Sequence, residues 1–165
     1  MSDIEKIFHA LSRIPAFTGL DFARHHSLLE RITLRKLVSG EVIFSEGDLP
    51  GPIYLIKRGE IEIVRIRGAL AEPIAYLKAG DVFGELGTLG EKSRNATARA
   101  FTDAAVFAIE RTDALALAKD LEPFQLLLAA RFLDRTRKNQ HYGQEGGRDG
   151  ASVYREKRED FADED

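Results

Sequence analysis

Between Thr33 and Glu110 no segment keeps a helical periodicity, and this constrains the fold more than any other feature. Short β-branched and aromatic runs ("LRKLV", "EVIF", "PIYLI", "EIEIVRI", "PIAYL", "ATARAF", "AAVFAI") alternate with "SG", "EGDLPG", "KRGE", "RGALAEP" and "KAGD". Side chains of the first kind suit a pleated, half-buried surface, whereas glycine, proline and aspartate break it. In "EIEIVRIR" the isoleucines and charges alternate with period two, which predicts one buried and one solvated face. "KRGE", between two such runs, reads as a hairpin turn. About seven short strands at this spacing predict a double-sheet roll or barrel. A parallel α/β sheet is disfavoured, because no helical pattern separates the strands.

Helical patterns flank this region. Residues 2–13 carry Ile4, Ile7, Phe8 and Leu11 on one stripe behind the candidate cap Ser2. Pro15 and Gly19 break the chain, and Asp21 can cap a second helix over about 21–32, with Leu28, Leu29 and Ile32 inward. After Arg111, "TDALALAKD" begins with the cap candidates Thr112 and Asp113. Pro123 then opens "PFQLLLAARFLDRTRKNQ" at a first-turn position that tolerates proline. Phe124, Leu126, Leu127, Leu128, Phe132 and Leu133 cover more than one stripe of that helix. Such a helix either packs on the roll and on a second subunit, making a homodimer through 124–133, or is fully buried within one domain. The breadth of the stripe does not separate the two.

The 165 residues accommodate one domain, expected over 1–140, and a tail over 141–165. The tail is polar, glycine-bearing and acidic, and its composition predicts disorder; the alternative is a docking segment anchored by Tyr154 and Phe161. It holds four Lys/Arg and eight Asp/Glu, so of the total charge of −3 about +1 falls on residues 1–140. That balance supplies no basic stripe for a phosphate backbone, and no nucleic-acid partner is expected. The absence of cysteine excludes disulfides and cysteine-based zinc sites. "MSDIEKIFHALSRI" does not have the pattern of a secretory signal, and "LLLAA" is too short to span a bilayer. A soluble cytoplasmic protein without membrane insertion is expected.

The chemistry is carried by "FGELGTLGEKSRNAT", residues 83–97. Its glycines follow G-x-x-G-x-x-G, neither the dinucleotide fingerprint nor a nucleoside-triphosphate P-loop. A glycine-rich turn entering a short helix still offers backbone N–H groups and a positive dipole end to an anion. Gly84 and Gly87 permit close approach to the main chain, and Arg94 can close over a phosphate with a charge-assisted fork. Glu85 would repel a bare anion. It makes sense beside one only if it accepts hydrogen bonds from ligand hydroxyls, as a sugar phosphate provides. The plain alternative is a Glu85–Arg94 surface ion pair steadying a loop, worth little by itself.

The same stretch resembles the phosphate-binding cassette of cyclic nucleotide-binding domains, such as those of the catabolite activator protein and of cyclic-AMP-dependent kinase regulatory subunits. That pattern is approximately F-G-E-[LM]-[AGS], a short stretch, then P-R-[AST]-A-T. Phe83, Gly84, Glu85, Leu86, Gly87, Arg94, Ala96 and Thr97 match it. The similarity extends through "LSRIPAFTGLD", "GEVIFSEGDLPGPIYLIKRGEIEI" and "YLKAGD", roughly residues 2–138.

The resemblance implies an α+β, mainly β fold: a double-stranded β-helix, or jelly-roll-like β-roll, of about eight strands flanked by N- and C-terminal helices. It implies a binding set of Gly84, Glu85, Leu86, Gly87, Arg94, Asn95 and Ala96. Arg94 would hold the cyclic phosphate, Glu85 the ribose 2′-hydroxyl, and Gly84 the ribose through its main chain. N–H groups near Gly87 and Asn95 would complete the cradle. Ser93 replaces the usual proline and loosens the loop. Asn95 replaces Ala, Ser or Thr; a Thr there often accompanies cyclic GMP preference in the kinase family, so cyclic AMP is favoured over cyclic GMP. The purine contact comes from the final helix in that family, which makes Arg131, Arg135 and Gln140 candidates.

Three rival functions are weighed by residue. A cupin-type metalloenzyme needs inward histidines, and Thr33 to Glu110 contains none; His9, His25, His26 and His141 lie outside the strand region. No catalytic residue, metal or cofactor is therefore expected. A DNA-binding regulator needs a helix-turn-helix, for which the glycine-rich residues after 140 are too few. The expectation is a stand-alone sensor that signals through its last helix or tail to a partner protein, or else the sensor piece of a longer architecture. The third rival is an interaction or structural subunit with a silent pocket, for which Ser93 and Asn95 are the only hints.

Overall fold

The computed structural model describes residues 1–84 and 93–131. A helix over Asp3–Ser12 (α1) begins at Ser2, whose hydroxyl accepts from Glu5 N–H at 3.3 Å. A 3₁₀ turn over Pro15–Phe17 and a short helix over His26–Arg31 (α2) follow. The helix expected from residue 21 starts later. Asp21 does cap a turn, its carboxylate accepting from Arg24 N–H at 2.8 Å, but that turn precedes α2.

Eight strands follow among the described residues: Thr33–Leu37 (β1), Val42–Phe44 (β2), Ile53–Arg58 (β3), Ile61–Arg67 (β4), Leu70–Leu77 (β5), Val82–Phe83 (β6), Thr97–Ala100 (β7) and Ala104–Ile109 (β8). Helices over Arg111–Asp120 (α3) and 122–131 (α4) close the described chain. The strands form two four-stranded sheets, β1-β8-β3-β6 and β2-β7-β4-β5, and every pair is antiparallel. First pairs with eighth, second with seventh, third with sixth, and fourth with fifth. This is one long antiparallel ribbon, tipped at the β4–β5 turn and wound between two sheets. The expected jelly-roll-like β-roll with flanking helices is the observed fold.

Winding the ribbon corrects the reading of "KRGE". β3 and β4 lie in different sheets, so the link through Gly59 is a corner between sheets rather than a hairpin. The β7–β8 link crosses the same gap and passes directly against it: a Cβ built on Gly59 would stand 2.3 Å from the Asp103 carbonyl oxygen. Gly59 also has φ +81°, so both conformation and space demand glycine. A second correction concerns "RGALAEP", expected as a break. Leu70 to Pro73 pair with β4, leaving only Gly68 and Ala69 for the turn. Proline is tolerated there because β5 is an edge strand and the register shifts beside it.

The two sheets enclose one core and the helices enclose another. Tyr54, Ile56, Phe83 and Val106 point between the sheets, whereas Ile53, Leu55, Phe107 and Ile109 point toward the helices. β3 is thus buried on both faces, as its uniform "IYLI" run requires. Phe124 and Leu128 of α4 enter the helix-side core, and the Phe124 ring lies 4.8 Å from that of Phe17. Arg31 of α2 forms a fork on the buried Asp113 of α3, with bonds of 2.7 to 3.2 Å. Asp113 was an expected cap; α3 instead starts at Arg111 behind Glu110, and the carboxylate serves this tertiary contact.

The period-two reading of β4 also needs amendment. Glu62 is buried, accepting from Tyr76 Oη at 3.0 Å and Arg99 Nε at 2.9 Å, so the expected solvated face is covered by a satisfied polar network. A register shift between Ile63 and Val64 resets the alternation further along. The packing at Gly59 yields a test. Gly59→Ala should cost about 1–3 kcal/mol or more, from left-handed backbone strain plus the close contact. Urea unfolding with an unchanged m-value is the measurement; an unaltered midpoint would refute the account.

Candidate functional site

The site lies where both arms of the ribbon leave one sheet for the other. On the first arm residues 45–52 carry the chain from β2 to β3; on the second, the stretch after Gly84 carries it from β6 to β7. Segments that cross between sheets lose their ladder partners, so their backbone groups need others. Here each crossing serves the other. Arg94 N–H donates to the Asp48 carbonyl at 2.7 Å, and Gly47 N–H donates to the Arg94 carbonyl at 2.7 Å. Glu46 N–H donates to Thr97 Oγ1 at 2.9 Å, and the Asp48 carboxylate accepts from Ser45 N–H at 2.9 Å.

That backbone arrangement directs the Arg94 side chain inward, where it is only 4% exposed. Its guanidinium donates from Nη1 to the Gly84 carbonyl at 2.7 Å and from Nη2 to the Pro52 carbonyl at 2.9 Å. The Phe44 ring lies beneath it, 4.1 Å from the guanidinium carbon to the ring centroid, a cation–π distance. Phe44 in turn packs near Tyr54 and Phe83, whose rings stack at 5.2 Å. The Arg94 charge is thus buried on an aromatic and carbonyl seat rather than spread on the surface; Glu85, the other half of the ion-pair alternative, lies outside the described residues.

Gly84 completes this seat from the other side. Its φ is +84°, and a Cβ there would stand 2.9 Å from Arg94 Nη1 and 3.2 Å from the Pro52 carbonyl oxygen. Gly84 and Arg94 are therefore brought together, the glycine carbonyl on the guanidinium. Glu85, Leu86 and Gly87 lie outside the described residues. Asn95 is half-buried at the end of the crossing. The Ala96 side chain packs with Ile74 and Ile63 in a small cluster.

Of the candidate purine contacts, Arg135 and Gln140 lie outside the described residues. Arg131, on α4, instead donates to the Asp81 carboxylate at 2.5 Å. Asp81 stands in the β5–β6 turn, where it also accepts from Lys78 N–H at 3.1 Å. The pair fastens α4 to a turn three residues before Gly84. The sequence reading missed this contact and the clamp at 45–48; the "EGD" and "KAGD" turn signals marked both places without indicating what they would hold. Phe124 and Leu128 face the chain's own core and Leu126 is exposed. Phe132, Leu133 and residues 141–165, with Tyr154 and Phe161, lie outside the described residues. Among the described residues no group of three His, Cys, Asp or Glu side chains is placed to hold a metal ion, and no helix is long and apolar enough to cross a membrane.

Comparison with known proteins places this geometry in context. Residues 34–120 match the family described as cyclic nucleotide-binding domain. The "Cyclic AMP receptor protein" of Thermus thermophilus is 34% identical over 124 residues, covering 74% of this chain and 57% of that protein. A cAMP-dependent protein kinase regulatory subunit of Emericella nidulans is 33% identical over 101 residues, covering 61% of this chain and 24% of that one. The crystal structure of Thermus thermophilus catabolite activator protein superposes with a TM-score of 0.62 at 33% identity, over 76% of this chain and 60% of that chain. The chain thus spans little more than half of the first relative and about a quarter of the second.

The Asp81–Arg131 pair gives a direct test of how α4 is held. Asp81→Ala should speed amide hydrogen exchange in residues 122–131 while leaving β3 and β8 protected. Its effect on global stability should stay within about 1 kcal/mol, because the pair is partly exposed. Exchange in 122–131 that matches wild type would show that packing of Phe124 and Leu128 alone fixes the helix.

Proposed function

The chain belongs to the cyclic nucleotide-binding domain family, and from that premise we propose that it is a cyclic-nucleotide sensor with cyclic AMP as its preferred ligand. The binding domain occupies residues 1–140, and residues 141–165 form an appended segment. The observation that carries this reading is the buried Arg94 guanidinium, seated on Phe44 and joined to Gly84 at the point where the cassette begins and ends. A cation held in a low-dielectric site keeps its geometry before ligand arrives, so little ordering accompanies binding. In this reading Arg94 supplies charge to the cyclic phosphate, and Glu85 accepts from the ribose 2′-hydroxyl. Main-chain groups at Gly84, Leu86, Gly87, Asn95 and Ala96 complete the cradle.

The preference for cyclic AMP rests on the asparagine at position 95, and agrees with the names of the Thermus and Emericella relatives. The ligand undergoes no chemistry in this proposal. Occupancy is transmitted because the cassette and α4 share an anchor: the β5–β6 turn carries Asp81, which holds Arg131, and leads within three residues to Gly84. A ligand can shift α4 only by binding its two positions with different affinity. The receiver is a partner protein or a second copy, reached through the C-terminal helix.

Calorimetry of the full chain with cyclic AMP and cyclic GMP tests the proposal. Wild type should bind cyclic AMP more tightly, and Arg94→Ala should lose about 2–5 kcal/mol, as expected when one half of a buried charge pair is removed. Heat with neither nucleotide would overturn the sensor reading in favour of an interaction module with a silent pocket. Tighter binding of cyclic GMP would reverse the ligand preference alone.

A further inference from the structure

A second concave surface lies on the helix side of the roll, distinct from the cassette. It is a groove of about 640 Å³ between α1, α2 and the β1 edge of the first sheet. The register explains why it exists. Leu34 stands opposite Phe107 and Lys36 opposite Ala105, so both share the face of β8 that turns toward the helices. The helices leave this end of β1 uncovered, and Leu34 and Lys36 are exposed. The floor is apolar, built from the buried Leu29, Ile32 and Phe107 and the half-buried Ile4 and Ile7.

Three exposed lysines, Lys6, Lys36 and Lys57, border this floor from α1, β1 and the irregular end of β3. Asp3 and Glu30 also border it, and Glu30 is engaged by His26 at 3.4 Å. None of the three lysines forms an ion pair with a carboxylate of the described residues. An apolar floor under separated ammonium groups suits an acidic segment carrying one large apolar side chain. The chain contains such a segment: "EDFADED", residues 159–165, has five carboxylates around Phe161.

We propose that this groove is an intramolecular docking site for residues 159–165, with Phe161 on the apolar floor and the flanking carboxylates facing Lys6, Lys36 and Lys57. Reach is no obstacle. Even fully helical, the 27 residues 132–158 span about 40 Å, against a radius of gyration of about 14 Å for a domain of this size. The energetics are those of tethered binding: separate exposed ion pairs contribute little, so burial of Phe161 carries the specificity and charge sets the register. The inference does not depend on the nucleotide reading.

Zero-length carbodiimide cross-linking of the full chain, with mapping by mass spectrometry, tests it. Carboxylates of 159–165 should couple to Lys6, Lys36 and Lys57 several-fold more than to Lys78 and Lys119, which are also exposed. In a mixture of unlabelled and ¹⁵N-labelled protein the links should join residues of one copy. Phe161→Ala should abolish the preference without moving Tm. An even spread over all five lysines would overturn the proposal. So would links found only between copies, which would assign the groove to a second chain, and so would a preference that survives Phe161→Ala.

Discussion

The two 2.7 Å main-chain hydrogen bonds between Arg94 and the 47–48 turn are the contact on which the rest of the site depends. A ribbon wound between two sheets must cross from one to the other, and at each crossing its backbone gives up ladder partners. At this crossing the first arm contributes a tight turn and the second contributes the backbone of Arg94, and each satisfies the other. Arg94 is thereby held with its side chain directed under the crossing. The buried guanidinium is stabilised there by two carbonyls and an aromatic face, which together reduce the cost of removing a cation from water. An arginine in the same position on a freely moving loop would have to order several rotatable bonds to reach this geometry.

The second consequence of the wound ribbon is that the central strands β3 and β8 of one sheet are buried on both faces. Tyr54 and Phe83 extend the Phe44 platform on the inner face, while Leu55 and Phe107 support the helices on the outer face. β3 therefore contributes to the aromatic seat of Arg94 on one side and to the helix-side core on the other. α4 joins that core through Phe124 and Leu128 and is fastened by Arg131 on Asp81. The turn that holds Arg131 leads within three residues to Gly84.

Much of this was legible in residue order. Seven strand segments, the capping role of Ser2 and the proline-opened final helix could all be read from short-range patterns, and the choice of Gly84 and Arg94 as candidate site residues came by resemblance. Three features could not. "KRGE" has the chemistry of a hairpin, and only the assignment of β3 and β4 to different sheets makes it a corner. Asp113 has the chemistry of a helix cap, and only the approach of Arg31 from α2 makes it a buried ion-pair partner. Glu62 has the period of a solvated residue, and only the cross-strand positions of Tyr76 and Arg99 bury it. In each case the local signal was physically sound, and a partner distant in sequence outweighed it.

By itself the sequence determined that this chain makes short antiparallel strands flanked by helices, and it marked the glycine- and arginine-bearing stretch between two of those strands as the candidate site. Those outcomes follow from periodicity, turn chemistry and residue type, which act over a few positions. Tertiary structure alone decided where Arg94 points, what lies beneath it, and which turn holds α4. Those outcomes depend on contacts such as Arg94 with Pro52 and Arg131 with Asp81, made between residues 42 and 50 positions apart. Such contacts form only once the ribbon is wound, because winding is what brings the two arms to the same crossing.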